Sequence, residues 1–197
     1  MKSWISKAAI AIALVVAPPV FAQADTWQID PAHTNVEFTV RHMMISNVKG
    51  QFQKISGTIT ANGNDASSAK IDVTIDASSV DTRVERRDAH LKSPDFLDVA
   101  KYPTIAFKST KVEADGPNKW RVTGDLTIHG VTKPVVLDVE GSGPPIDVMG
   151  HTRAGASATT KINRSDFGLT WNKALEAGGV LVGDPVAISI DVEAVKK

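Results

Sequence analysis

The sequence predicts a single, mostly β domain, folded as an antiparallel sandwich or a closed antiparallel barrel. Short runs of alternating apolar and polar residues fill most of the chain, and this period is typical of half-buried strands. Turn signals separate the runs, as in Asn62-Gly63-Asn64-Asp65 and Asp115-Gly116-Pro117-Asn118. The stretch from Ser79 to Phe107 breaks the alternation, and a short helical crossover is predicted within it, at about 83–98. Periodicity alone does not choose between sandwich and barrel, since both give each strand one apolar face.

Residues 1–24 have the pattern of an export signal. Lys2 and Lys7 supply a positive start, residues 8–17 form an unbroken apolar run, and Ala22-Gln23-Ala24 offers a small-x-small cleavage site. Cleavage after Ala22 fits the same pattern. The apolar run is shorter than the about 20 residues that span a bilayer. Because no cysteine follows it, a lipid-anchored lipoprotein is excluded. We therefore expect residues 25–197 to form one soluble domain in the periplasm.

Composition excludes several classes of function. The chain has 22 basic and 22 acidic residues, and two of the lysines lie in the signal. A balanced charge argues against nucleic-acid binding, which needs a basic field. It also offers no polybasic patch for anionic membranes. The chain has no cysteine, so burial rather than disulfides must stabilise it after export.

The predicted strands follow one another along the chain, each with an apolar inner face. Their predicted bounds are 26–29, 36–42, 50–52, 57–61, 69–76, 104–111, 120–128, 135–141, 150–162 and 185–195. Residues 141–147, with two glycines and two prolines, indicate a loop. The last strand is the longest, and its residues Val186, Ile188, Ile190 and Val192 are expected to point inward.

A helical crossover is predicted between the strands that end at Asp76 and begin at Thr104. Thr82 and Glu85 have capping-box spacing, so we expect a helix from about 83 to 91 with Thr82 as its cap. Ser93-Pro94 then ends this helix and begins a second turn. The crossover has few apolar residues, so it can cover one end of the β structure but cannot form a core alone.

Short motifs run in order along nearly the whole chain. They are Ile29-Asp30, Ser79-Val80-Asp81-Thr82, Arg87-Asp88-Ala89-His90-Leu91, Ser93-Pro94-Asp95-Phe96, Lys101-Tyr102-Pro103, Phe107-Lys108-Ser109, Thr123-Gly124-Asp125-Leu126-Thr127, Gly130-Val131-Thr132-Lys133-Pro134-Val135 and Val192-Glu193. Together they resemble the YceI-like family of exported lipid-binding proteins. Each motif is weakly specific, but the ordered set is strong.

The resemblance implies a single antiparallel, eight-stranded, lipocalin-like barrel with a long apolar cavity. It also implies a carrier for a polyisoprenoid or another long-chain amphiphile, without a further cofactor, and it suggests homodimers. Strands of about nine residues, tilted by about 40°, give a barrel about 23 Å long. A long prenyl chain would therefore fold back or protrude.

Two groups of candidate binding residues follow. The inward apolar residues are expected to line the cavity: Val36, Phe38, Val40, Phe52, Ile71, Val73, Ile75, Phe107, Leu126, Leu137, Ile188 and Ile190. Five polar residues could hold a ligand head group at the mouth: His42, Arg83, Arg86, Arg87 and His90. Other interpretations stay open. His42 could instead bond a loop carbonyl, and the arginines could form a solvated helix face paired with Glu85 and Asp88.

Nothing in the sequence demands catalysis. The five histidines show no H-x-H or H-E-x-x-H spacing, although a zinc site assembled from distant strands stays open. The nucleophile elbow G-x-S-x-G is missing, and Gly141-Ser142-Gly143 runs into prolines and cannot cradle a dinucleotide. We expect a protein that is not an enzyme and holds no metal. The alternatives are an enzyme acting on a quinone or prenyl substrate in the same cavity, and a ligand-free structural or stress-response barrel.

Overall fold

The computed structural model describes residues 24–63, 65–176 and 178–197. Of the predicted signal 1–24, residues 1–23, with the alternative cleavage site after Ala22, lie outside these residues. The strands are β1 (Asp25–Ile29), β2 (Asn35–His42), β3 (Ser46–Phe52), β4 (Ile55–Asn62), β5 (Asp65–Asp76), β6 (Val80–Asp81), β7 (Thr104–Ala114), β8 (Lys119–Ile128), β9 (Val131–Gly141), β10 (Ile146–Val148), β11 (His151–Asn163) and β12 (Val182–Lys196).

Eight of these strands close into an antiparallel barrel. Neighbours in the ring are β12, β1, β4, β5, β7, β8, β9 and β11, and β11 pairs again with β12. The predicted eight-stranded barrel is confirmed. Closure removes the free sheet edges that an open sheet of this size would expose.

Strand β12 holds the ring together because it is long enough to pair with three strands. Its last residues pair with β1, and residues 182–191 pair with β2 on the same side. Its other side pairs with β11 from Pro185 to Val195. β2 and β3 thus continue β1 and β4 toward one end of the barrel, where β3 also pairs with the short β6.

The bounds of several strands differ from the predicted ones. β3 begins at Ser46 rather than at residue 50, and β9 begins at Val131 rather than at 135. Part of the predicted loop 141–147 is the short strand β10, which pairs with β11. The polar residues of these stretches mask their strand character in the sequence, because backbone pairing to a neighbour does not require apolar side chains. The predicted turn after Asn62 includes Asn64, which lies outside the described residues.

One α-helix, α1 (Glu85–Lys92), follows β6. The predicted crossover is confirmed, but the predicted cap is wrong. α1 begins two residues after Arg83, its N-cap position is Val84, and no side chain caps it. The Thr82 hydroxyl and backbone N–H both donate to the Asp88 carboxylate instead. Among the described residues, no helix has the length and apolar character needed to span a bilayer.

We call the end of the barrel beneath residues 82–103 and 164–171 the covered end. The main hydrophobic cluster lies there, and its central side chain is Phe167, which is 1% exposed. The other buried members are Ala77, Val80, Leu97, Ile105, Leu126 and Ile128. Residues from the crossover, from three strands and from the 164–167 turn thus form one packed core.

Glycine allows the crossover to approach the barrel closely. A Cβ at Gly50 on β3 would lie 2.4 Å from the Phe38 ring and 2.7 Å from the Thr82 methyl group. Any larger residue would push Thr82, and with it the start of the crossover, away from β3. Gly50 therefore positions the covering segment.

Candidate functional site

The barrel interior is the first candidate site. On β12, Val186, Ile188 and Ile190 are half-buried while Ala187 and Ser189 between them are exposed. Residues directly opposite in an antiparallel ladder point to the same face. Val36, Phe38 and Val40 lie opposite Ile190, Ile188 and Val186, so these six side chains form one apolar surface inside the ring.

The remaining predicted cavity residues extend this surface around the ring. Phe52 lies opposite Val36, and its ring centroid is 5.7 Å from that of Phe38. Val73, Phe107 and Leu126 form a continuous row across β5, β7 and β8. The other pairs are Ile71 with Ile59, Ile75 with Ile105, and Leu137 with Val122. The fold thus brings the twelve predicted residues onto one inner wall.

This inner wall is incompletely packed. Of the twelve residues, Val36 and Leu126 are buried, and the other ten are half-buried. A side chain that points into a closed ring and still contacts solvent borders free space, because a packed core leaves few gaps larger than a water molecule. Leu126 belongs to the cluster at the covered end, and Phe38, Phe52, Ile75 and Phe107 pack against it. The rest of the inner wall lies outside that dense cluster.

The predicted head-group residues lie on separate elements. His42 ends β2 and is half-buried opposite Ser46 and Val182. Arg86, on α1, is exposed, as is Arg83 just before the helix. The guanidinium of Arg87 donates two hydrogen bonds of 2.7 Å to the hydroxyl and carbonyl oxygens of Thr82. Arg87 therefore has a structural task, which is to hold the start of the crossover.

His90 belongs to an aromatic cluster at the covered end. Its ring stands edge-on to Phe96 and Trp171, with centroid distances of 5.0 and 4.8 Å. His90 Nε2 lies 2.8 Å from the Asp95 carboxylate. Since Trp171 belongs to the segment that follows Phe167, this cluster joins the crossover to residues 164–171.

Arg164 is an important buried residue to which sequence analysis assigned no role. Its side chain is buried and donates to the backbone carbonyls of Gly183, Leu169, Trp171 and Val182. Burial lowers the pKa of the guanidinium, although Asp184 opposes that shift. The sequence signal was the pattern Arg164-Ser165-Asp166-Phe167-Gly168, but the pattern does not show that the arginine points inward.

A charged cluster on the outer wall joins the first and the last of the sequence motifs, Ile29-Asp30 and Val192-Glu193. Arg153 donates to the carboxylates of Asp30 and Glu193, and His33 bonds Asp30 as well. The hydrogen bonds from His33 and Arg153 lower the pKa of Asp30 to about 2. The bond to Asp30 raises the pKa of His33.

This cluster bears on the open question of a metal site. The ligand atoms of Asp30, His33 and Glu193 lie within 4.8 Å of one another, a spacing that could hold a cation. The guanidinium of Arg153 already contacts both carboxylates and supplies the positive charge. We interpret the group as an ion-pair network that fixes the β1–β2 turn to β11 and β12.

The fold and interior define the class of this protein as a small eight-stranded barrel of lipocalin-like shape with an apolar inner wall. Comparison with known proteins gives the family. The family model described as the YceI-like domain matches residues 27–194. The chain belongs to this family, as its ordered motifs suggested.

Known relatives agree with this assignment. A UPF0312 protein of Vibrio parahaemolyticus is 40% identical over 161 residues, which cover 81% of this chain and 85% of the relative. A Campylobacter jejuni YceI protein of known crystal structure is 38% identical in sequence to this chain, with a TM-score of 0.69. The match covers 80% of this chain and 90% of the Campylobacter chain. A polyisoprenoid-binding domain from Saccharophagus degradans has the same fold at 16% identity, with a TM-score of 0.65 and coverage of 87% and 98%.

Proposed function

We propose that this protein is a non-enzymatic binding protein for a long-chain isoprenoid or a similar amphiphile, which it holds inside the barrel. The observation that carries the proposal is the inner wall, where ten of twelve inward apolar residues stay half-buried in a closed ring. Such surface is costly to leave in contact with water, at about 25 cal/mol per Å². A bound apolar chain would cover it.

Family membership supports the class of ligand. A structural neighbour is described as a polyisoprenoid-binding domain, and its barrel has the same fold as this chain. An isoprenoid tail is apolar and flexible, so it suits an inner wall formed by valine, isoleucine, leucine and phenylalanine. We propose further that the signal-like residues 1–24 direct the protein to the periplasm, where it would act as a carrier or a store.

The twelve inward residues, from Val36 to Ile190 along the chain, form the proposed cavity wall. For the head group, the sequence analysis proposed His42, Arg83, Arg86, Arg87 and His90. The contacts of Arg87 with Thr82 and of His90 with Asp95 make these two the weaker candidates. His42, Arg83 and Arg86 remain as the candidates at the covered end.

Two measurements test the function. Mass spectrometry of an organic extract of the purified protein should reveal a co-purified isoprenoid or other long-chain lipid. The delipidated protein should then bind geranylgeraniol, and the compound should be recovered unchanged after incubation. A chemically altered product would favour the enzyme, while failure to extract or bind any lipid would favour a structural barrel.

A further inference from the structure

The barrel wall opens between β5 and β7. The two strands pair only from Asp76 opposite Thr104 to Asp72 opposite Lys108. At the next position, the Ile71 N–H donates to the Ser109 hydroxyl at 2.8 Å and not to a backbone carbonyl of β7. Beyond it, β5 stays paired with β4 and β7 stays paired with β8, so each strand keeps one partner while they separate from each other.

A bulge in β7 explains the separation. The pairing of β7 with β8 shifts between Ser109 and Lys111, so that Thr110 is an extra residue, and its hydroxyl donates to the Thr123 carbonyl. A bulge of this kind bends its strand and increases the local twist. The bend turns the end of β7 away from β5, on the side of the barrel opposite the covered end.

The space between the two strands is lined by residues of both faces of the sheet. It is a cleft of about 570 Å³, a volume typical of small-molecule sites. Its lining includes Ile71 and Val112, which belong to the inner face, together with Lys70 and Asp72, which belong to the outer face.

The rim of the cleft is cationic and rich in hydroxyl groups. Lysines Lys70, Lys108 and Lys111 line it against a single carboxylate, that of Asp72. Asp72 lies 3.3 Å from Lys108, and Lys111 pairs with Glu113 at 2.7 Å. Hydroxyls line it as well: Thr58, Thr60, Ser67, Ser68, Ser109 and Thr110. Lysine and hydroxyl donors together suit phosphate or carboxylate oxygens.

We propose that this cleft is a side entrance to the barrel for an amphiphile with an anionic head group. The apolar tail passes between β5 and β7 to the inner wall, and the head group stays outside, where Lys108 and Lys111 contact it. This inference rests on the proposed binding function. It also gives a prenyl chain longer than the about 23 Å barrel a place to protrude.

A cross-link across the cleft tests the entrance. The chain has no native cysteine, so the variant Ser67→Cys/Lys111→Cys can be bridged specifically with a short bismaleimide. Bridging should slow uptake and release of N-phenyl-1-naphthylamine by about tenfold or more and leave its equilibrium affinity unchanged, since a gate affects both rates. The control is Thr74→Cys/Ala106→Cys, which bridges the same strands where they are already paired and should not change either rate.

The reference is the same Ser67→Cys/Lys111→Cys variant capped with N-ethylmaleimide. If the bridged variant takes up and releases the probe at the same rates as this reference, the proposed entrance is wrong. Binding at equilibrium would then still support the proposed function. If the wild-type protein does not take up the fluorescent probe at all, the binding function itself is refuted, and the entrance with it.

Charge removal tests the head-group contact. In Lys108→Gln/Lys111→Gln, farnesyl diphosphate should bind about tenfold more weakly, because its charge-assisted hydrogen bonds to the two lysines are lost, while farnesol binding stays unchanged. The matched variant Lys49→Gln/Lys161→Gln, which removes two exposed lysines of β3 and β11 outside the cleft, should bind both compounds as the wild type does. Unchanged binding of farnesyl diphosphate by Lys108→Gln/Lys111→Gln would overturn this part of the inference.

Discussion

The covered end and the barrel interior use similar apolar side chains in opposite ways. At the covered end, Phe167 is 1% exposed and Val80 is 3% exposed. In the interior, Val73, Ile188 and Ile190 point inward yet remain half-buried. The difference arises from what lies above each layer, since the crossover and the 164–171 segment fill the covered end and no element of the described chain fills the middle of the ring.

The covered end therefore stabilises the fold, and the interior provides the capacity to bind a ligand. Burial stabilises a fold in proportion to the apolar area removed from water, so the covered end should carry a large share of the free energy of unfolding. The interior leaves apolar surface incompletely buried, and a ligand can cover this surface. The following substitutions test this division.

The largest effect is expected for Phe167→Ala. Removing a fully buried aromatic side chain should lower the free energy of unfolding by about 3–5 kcal/mol. Ile188→Ala is the control, and it should cost clearly less because Ile188 is only half-buried and lies outside the cluster at the covered end. Urea denaturation of the delipidated proteins measures both. Equal losses would show that the interior is as densely packed as the covered end.

Arg164→Ala should cause the second-largest loss of stability. The substitution leaves the carbonyls of Gly183, Leu169 and Trp171 without the guanidinium donor, while the Val182 carbonyl keeps the Asn172 amide. The expected loss is about 3 kcal/mol, because each unsatisfied buried group costs about 1–3 kcal/mol before relaxation and water entry. Arg86→Ala, on an exposed position of α1, should change stability by less than about 0.5 kcal/mol. A small loss for Arg164→Ala would mean that water readily replaces the guanidinium.

Val73→Trp tests the interior directly. In a packed core the larger ring would cost about 1–3 kcal/mol. In a ligand cavity it occupies space that the ligand fills, so the melting temperature of the delipidated protein should stay nearly constant while lipid capacity is lost. Thr74→Trp, on the outer face, should alter neither property. A large drop in melting temperature, with lipid bound by neither Val73→Trp nor the wild type, would show a solid barrel.

The smallest effect concerns the outer wall. Because His33 and Arg153 lower the pKa of Asp30 from 3.8 to about 2, the Asp30 contacts stabilise the fold above the ordinary pKa and are lost as the pH falls through about 2. The raised pKa of His33 adds stability below 6.5 that is lost as the pH rises through the raised value. Asp30→Asn should therefore be less stable than the wild type near neutral pH, with the difference vanishing toward pH about 2.

Urea midpoints across this pH range measure the Asp30 effect. His33→Gln serves as the control. It keeps the Asp30 carboxylate and removes only the stability that depends on the protonated imidazole of His33. A pH-independent gap between Asp30→Asn and the wild type would contradict the assignment of the linkage to this carboxylate.

Much of the fold was predictable because strand period is a local property. The alternation at residues 36–42 and 69–76 identified the inner faces of β2 and β5, and the structure places those residues opposite apolar partners. The choice of a barrel over a sandwich needed the family resemblance, because closure depends on pairing between β11 and β12 and between β1 and β4, which no single segment encodes.

Local rules failed where tertiary contacts competed with them. Thr82 has the spacing of a helix cap, but its hydroxyl bonds Asp88 and Arg87 because Gly50 lets the segment lie against β3. The cleft between β5 and β7 was also beyond sequence reasoning. Its cause is one extra residue in β7, which changes the alternation by a single position in a run of polar side chains.

The length of β12 has a consequence for the time course of folding. The ring closes only when β12 pairs with β11 on one side and with β1 and β2 on the other, and β12 follows all of these in the chain. Contacts of such large sequence separation are slow to form, with folding times of roughly milliseconds to seconds for all-β domains. Until β12 is in place, β1, β2 and β11 each expose an unpaired edge. The interval before closure is therefore when the chain is most prone to aggregate, and when a chaperone would protect it most effectively.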